Sequence, residues 1–146
     1  MKRIALMSLC LAVCGLLQAQ EPVVIQMSKA EFLQKVMNYE QNPNKWVFLG
    51  DKPCIIDFYA DWCRPCKIAS PIIEDLAKEY KGKIDFYKVN TDHEQSLAAA
   101  FGIKSIPAFL YCPLNDNPQM SAGIAQSPEE TKAVFKKIIE EFLLRK

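Results

Sequence analysis

Two cysteines separated by two residues, Cys63 and Cys66 in "DFYADWCRPCKIASP" (residues 57–71), carry the strongest chemical signal in the chain. That spacing serves three chemistries: half of a zinc site, a short structural disulfide, or a dithiol–disulfide redox centre. A structural zinc site needs four ligands, usually two such pairs or one pair plus histidines. There is no second CxxC, and His93 is the only histidine, so zinc is disfavoured. A disulfide across so short a gap constrains almost no chain and adds little entropic stabilisation. The redox reading has more chemistry behind it. If the motif opens a helix, the dipole and free N–H groups stabilise a thiolate at Cys63. Cys66 would lie one turn in, more buried, and able to attack a mixed disulfide formed on Cys63. Arg64 and Lys67 add positive charge, and Pro65 is tolerated in the first turn and stiffens it.

Just upstream, "CIIDFYA" (residues 54–60) is an almost continuous apolar run interrupted by Asp57. A carboxylate there must find a partner or stay protonated. Two compatible readings follow: a core carboxylate paired with Lys88 on a neighbouring strand, and a proton acceptor for the Cys66 thiol.

The elements that must position these residues are legible from their periodicity. Residues 54–60 read as a central strand, and "CRPCKIASPIIEDLAKEY" as a helix opening at Cys63 and kinked at Pro71. "SKAEFLQKVMNY" reads as a helix with a Ser28/Glu31 capping box. Val23–Met27 and "WVFL" (46–49) are further strand candidates. "KIDFYKVN" (83–90) alternates as a strand, and "EQSLAAAFGI" is a short helix closed at Gly102. "PAFLYC" and "QMSAG" form a hairpin about "LNDNPQ". Ser127, Pro128 and Glu130 start a last helix whose buried stripe is expected to be Val134, Phe135, Ile138, Ile139 and Phe142. The order β, α, β, β, α, β, α, β, β, α suits an α/β class domain: a mixed sheet with helices on both faces.

With 146 residues, the chain suffices for one domain with a single core. Its 18 basic and 17 acidic residues force no basic face, so nucleic acid is not an expected partner. Lys2, Arg3, the apolar run Ile4–Leu17 and Ala19 in "LLQAQ" read as a signal peptide over residues 1–20, cut near Ala19/Gln20. The run is short for a membrane-spanning anchor. "LAVC" resembles a lipobox at Cys14, but Val13 stands where Gly, Ala or Ser is usual. We therefore expect a domain over residues 21–146, in the periplasm or secreted. Cys10 and Cys14 leave with the leader; Cys54, Cys63, Cys66 and Cys112 remain, in a compartment where disulfides persist.

"DFYADWCRPCK", followed by Pro71, resembles the thioredoxin family signature. Asp57 matches that family's buried Asp and Lys88 its Lys partner. "GIKSIPAFL" resembles the segment with the family's cis-proline, here Pro107, and Gly123 falls where the family keeps a groove glycine. The resemblance runs from about Lys45 to the C-terminus. It implies the thioredoxin fold, with Cys63 as attacking and Cys66 as resolving thiol, joined as the redox-active disulfide when oxidised. It also implies an Ile106–Pro107 bond that is cis and faces the CxxC, and a substrate groove of Trp62, Arg64, Pro65, Ile106, Gly123 and Ile124. Cys54 and Cys112 should lie opposite each other on paired strands, as two buried thiols rather than a second, slow redox pair. The chain departs from the family in Arg–Pro where Gly–Pro is common, in Tyr59 where the first of two tryptophans is usual, and in the "LNDNPQ" turn. The turn and the leader resemble secreted thioredoxins of the Bacteroides type.

The implied activity is the reduction of protein disulfides in disulfide-bearing protein substrates, by a monomer without a cofactor. No GxGxxG marks a flavin or nicotinamide site, so electrons must come from outside, from a donor such as a membrane thiol–disulfide transporter. Oxidising relatives typically carry a helical insert and a His inside the CxxC, and this chain has neither. An oxidase or isomerase, a cytochrome-maturation reductase and a redox-silent binding module are the alternatives; the last would be favoured by a missing second cysteine, and both are present.

Overall fold

The computed structural model describes residues 23–145; the leader with its cut site, Cys10 and Cys14 lie outside the described residues. The apolar run folds as β2 (Cys54–Tyr59), the central strand of five. Its neighbours are β3 (Asp85–Asn90), which runs parallel to it, and β4 (Ala108–Cys112), which runs antiparallel. β1 (Val24–Gln26) adds to β3 in parallel, and β5 (Gln119–Ala122) adds to β4 in antiparallel, giving the order β1-β3-β2-β4-β5. The expected mixed sheet is therefore present.

Alternation along the strands sends side chains to two separate cores. On one face, Ile55, Phe86, Phe109 and Tyr111 meet Ala69, Ile72, Ile73 and Leu76 of α2 (Arg64–Glu79) and Phe135 of α4 (Pro128–Ile138). On the other, Cys54, Ile56, Phe58, Leu110 and Cys112 meet Phe32 of α1 (Lys29–Lys35) and Leu97 of α3 (Gln95–Ala100). Asp57 shares the parity of Ile55 and Tyr59, so the sheet aims it at α2.

Three local expectations need correction. "WVFL" is not a strand. β1 occupies the sheet edge beside β3, so residues 46–49 pass outside the ladder, held by the Leu49 N–H donating to the Val36 carbonyl at 2.9 Å. Trp46 and Phe48 stack at 6.4 Å and pack on the second core instead. α1 keeps its capping box but ends at Lys35, four residues short of Tyr39; Val36 and Met37 are buried even so. In the last helix Val134 is 52% exposed, whereas Phe135, Ile139 and Leu143 are buried. The buried stripe runs through Thr131, Phe135 and Ile139, and Val134 falls outside it. Beyond α4 comes a π-helical turn over Ile139–Leu143, in which the Leu144 N–H reaches back to the Ile139 carbonyl at 2.8 Å. The wider turn brings Leu143 onto the face of Phe135 and Ile139. Ile138 and Phe142 are half-buried beside it.

α2 continues through Pro71 to Glu79. Pro71 has no N–H for the Lys67 carbonyl, and both residues are exposed.

Candidate functional site

β2 delivers the chain to the top of the sheet, where Tyr59 to Trp62 turn into α2. The turn is fastened at several points: the Cys63 N–H donates to the Ala60 carbonyl at 3.1 Å, and the Thr91 N–H donates to the Tyr59 carbonyl at 2.8 Å. Asn90 donates through Nδ2 to Asp61 at 3.3 Å, while its Oδ1 accepts the Asp92 N–H at 3.0 Å.

Cys63 is the N-cap of α2, with Arg64 and Pro65 exposed in the first turn. It is joined to Cys66 by a disulfide with the Cα atoms 5.3 Å apart. Among the described residues no cluster of three or more His, Cys, Asp or Glu could hold a metal ion. The expected difference in burial between the two cysteines is not found: each is 3% exposed. The asymmetry lies in their partners. The Cys63 sulfur accepts the Cys66 backbone N–H at 3.3 Å, a helix-end donor that favours negative charge on that sulfur. Cys66 instead lines a cavity of about 250 Å³ that it shares with Asp57, Tyr59, Lys67, Ser70 and Lys88.

Asp57 is 5% exposed at the floor of that cavity, and its Oδ1 has no hydrogen-bond partner. Burial pushes its carboxyl up from the ordinary 3.8 to about 7, with the Lys88 charge working weakly against the rise. Lys88 is the register partner of Asp57 across β2 and β3. The expected ion pair between them is nevertheless absent from the ion pairs of the described residues. The Lys88 ammonium lies over the Tyr59 ring instead, 5.9 Å from its centroid. A carboxyl buried next to a thiol, with a titration midpoint near neutrality, can take the proton of that thiol and give it back.

The Ile106–Pro107 peptide bond is cis. Ile106 packs against Cys63, Cys66 and Ala60, which puts this loop beside the disulfide. The buried Pro107 offers its carbonyl to the Gly123 N–H at 2.8 Å, and Gly123 has φ +80°, a conformation side chains rarely adopt. Trp62 is 70% exposed and donates from its indole nitrogen to Asp92 at 2.9 Å. Trp62 and Ile106 line one depression of about 330 Å³. Of the residues expected to form the groove, Trp62 and Ile106 share this depression, whereas Ile124 is half-buried, with its side chain packed against the core of the α2 face. Asp92, Asn90 and Ser70 were not singled out from the sequence. Asp92 lies 30 residues from Trp62, and only the β2–β3 pairing brings the two together.

A helix-capping disulfide over a buried carboxyl, with an apolar loop alongside, defines a thiol–disulfide redox protein. A family model, Thioredoxin, matches residues 23–140. The thioredoxin of Borreliella burgdorferi is 44% identical over 120 residues, covering 82% of this chain and 97% of that protein. The chloroplastic M-type thioredoxin of Pisum sativum is 47% identical over 73 residues, which is 48% of this chain and 42% of that protein. The thioredoxin of Porphyra purpurea is 38% identical over 87 residues, 60% of this chain and 71% of that protein. The chain belongs to the thioredoxin family and is a thiol–disulfide oxidoreductase, a protein-disulfide reductase.

Proposed function

We propose that the domain of residues 21–146 is exported and reduces disulfides in other exported proteins, acting as a monomer. The leader pattern of residues 1–20 supports export, and with the "LNDNPQ" turn it supports a relationship to secreted thioredoxins of the Bacteroides type. The observation that carries the chemistry is the unequal setting of the two sulfurs, one facing a helix-end N–H and the other the Asp57 cavity.

In the reduced protein the Cys63 thiolate attacks a substrate disulfide held beside Ile106 and Trp62. A Cys63–substrate disulfide forms, and the other substrate sulfur leaves as a thiolate that takes a proton from water. Cys66 gives its proton to the Asp57 carboxylate and attacks the Cys63 sulfur. The mixed bond breaks, the second substrate thiolate leaves, and Cys63 and Cys66 are again a disulfide. Two electrons have passed to the substrate. Restoring the dithiol takes two electrons from an external dithiol, for which a membrane thiol–disulfide transporter is the partner that fits an exported domain.

Alkylation of the reduced domain with iodoacetamide tests the assignment. Cys63 is expected to react first, Cys66→Ser to accumulate mixed disulfides with substrate, and Cys63→Ser to reduce nothing. Faster labelling of Cys66 would reverse the roles. A reduction potential near the thioredoxin value of about −270 mV supports a reductase, and one near about −120 mV an oxidase.

A further inference from the structure

Lys88 lies in register with Asp57 on the next strand, and both side chains line the Cys66 cavity, yet the ammonium sits over the Tyr59 ring. The ring is held there. Its hydroxyl donates to Gln26 Oε1 on β1 at 2.9 Å, across the face of β3. We propose that Tyr59 is a positioning residue that keeps the Lys88 ammonium off the Asp57 carboxylate, leaving that carboxylate unpaired for the proton of Cys66. This deepens the reading of Asp57 as proton acceptor and rests on it.

The magnitudes favour such control. A cation over an aromatic face is attracted by the ring's negative face strongly enough to bias a lysine that has water as its other choice. An ammonium within about 4–6 Å of a carboxylate lowers its titration midpoint by about 1–3 pH units. A carboxylate so lowered is a poor acceptor for a thiol proton, because the proton is no longer driven onto it. The ring therefore sets how basic the acceptor is without touching the sulfur.

The other charged neighbours do not substitute for Lys88. Asp61 from the turn accepts from Asn90. Lys67 on α2 is exposed. From β4, the Tyr111 hydroxyl is paired with Ser121 at 2.9 Å and pushed up to about 12 by burial, so it stays neutral. Lys88 is the cation on the strand beside Asp57, and the ring is what it rests on.

The test titrates the Asp57 carboxyl carbon by NMR in the oxidised, ¹³C-aspartate-labelled protein. Tyr59→Phe and Tyr59→Trp keep a ring face and are expected to leave the midpoint in place. Tyr59→Leu is expected to lower it by about one pH unit or more as Lys88 swings to the carboxylate. In a Lys88→Gln background Tyr59→Leu is expected to move it by less than a third of that. An unchanged midpoint in Tyr59→Leu overturns the proposal, as does an equal fall in Tyr59→Phe or a fall that persists without Lys88. Should Tyr59→Leu not fold, Tyr59→Met carries the same expectations. The relay is tested separately: if Asp57→Asn leaves the rate at which Cys66 resolves a mixed disulfide unchanged at every pH, the proton-acceptor reading fails whatever the titration gives.

Discussion

Asp57 lies beneath Cys66, and no hydrogen bond offsets the burial of its Oδ1. Such a group makes the fold depend on pH. Below about pH 4 the carboxyl is protonated in folded and unfolded chains alike, and the burial costs little. Between its ordinary 3.8 and the folded value of about 7 the folded chain holds a proton that the unfolded chain has lost. Stability therefore falls as pH rises through that window, and the full penalty applies above it. Three units correspond to about 4 kcal/mol at most. Asp57→Asn is expected to be more stable than the parent at pH 8, by an amount of that order or less, with the advantage shrinking towards pH 4. Urea denaturation of the oxidised proteins at both values measures it; an advantage that does not change with pH would contradict the assignment. The place of Asp57 was legible in the sequence, since one carboxylate in an apolar strand must face something. The register with Lys88 was legible too. The missing ion pair was not, because the competing attraction belongs to a tyrosine ring tied to a glutamine 33 residues away.

At the scale of elements, chain entry into α4 decides where the Gly123 loop sits. Thr131 is the buried fastener. Its hydroxyl donates to the Ser127 carbonyl at 2.8 Å and accepts the Ala125 N–H at 3.1 Å. Ser127 caps the same helix through the Glu130 N–H at 3.1 Å. Thr131→Val keeps shape and removes both bonds, leaving the part-buried Ala125 N–H without a partner. The expected loss is about 1 kcal/mol, measured by chemical denaturation, with disulfide reduction also weakened because the Gly123 loop loosens. Unchanged stability would mean that the loop finds other partners at no cost. Helices and strands with a cap or a strict period were readable in the sequence: α1 by its capping box, α2 by its cysteines, β2 to β4 by their apolar patterns. The misread segments were those whose fate depends on a competitor. Residues 46–49 have strand-like composition, but β1 takes the available edge. Val134 sits beside Phe135 in a regular stretch of helix, but the buried stripe runs through Thr131, Phe135 and Ile139 and leaves Val134 to solvent.

On the scale of the whole molecule, β2 and β4 run between two poles. The CxxC and Pro107 sit at one end, and Cys54 and Cys112 pair at the other. The expected juxtaposition of these two cysteines holds, and both are free thiols, 2% and 0% exposed. Burial pushes the Cys112 thiol well up, with Cys54 beside it adding to the rise. The thiolate is the form that reacts with an alkylating reagent, so while the sheet is intact Cys112 lacks both access and charge and Cys54 lacks access. β2 is the central strand and β4 its partner, which makes opening them close to opening the whole domain. In the Cys63→Ser/Cys66→Ser protein purified without reductant, we expect no thiol to react with a neutral-pH alkylating reagent under native conditions, and two per chain in denaturant. As urea rises, the labelling rates of Cys54 and Cys112 should increase together and follow the global unfolding equilibrium measured by tyrosine and tryptophan fluorescence. No thiols after denaturation would mean that the pair is a second disulfide. Rapid native labelling of either cysteine alone would mean that this end of the sheet opens without the rest.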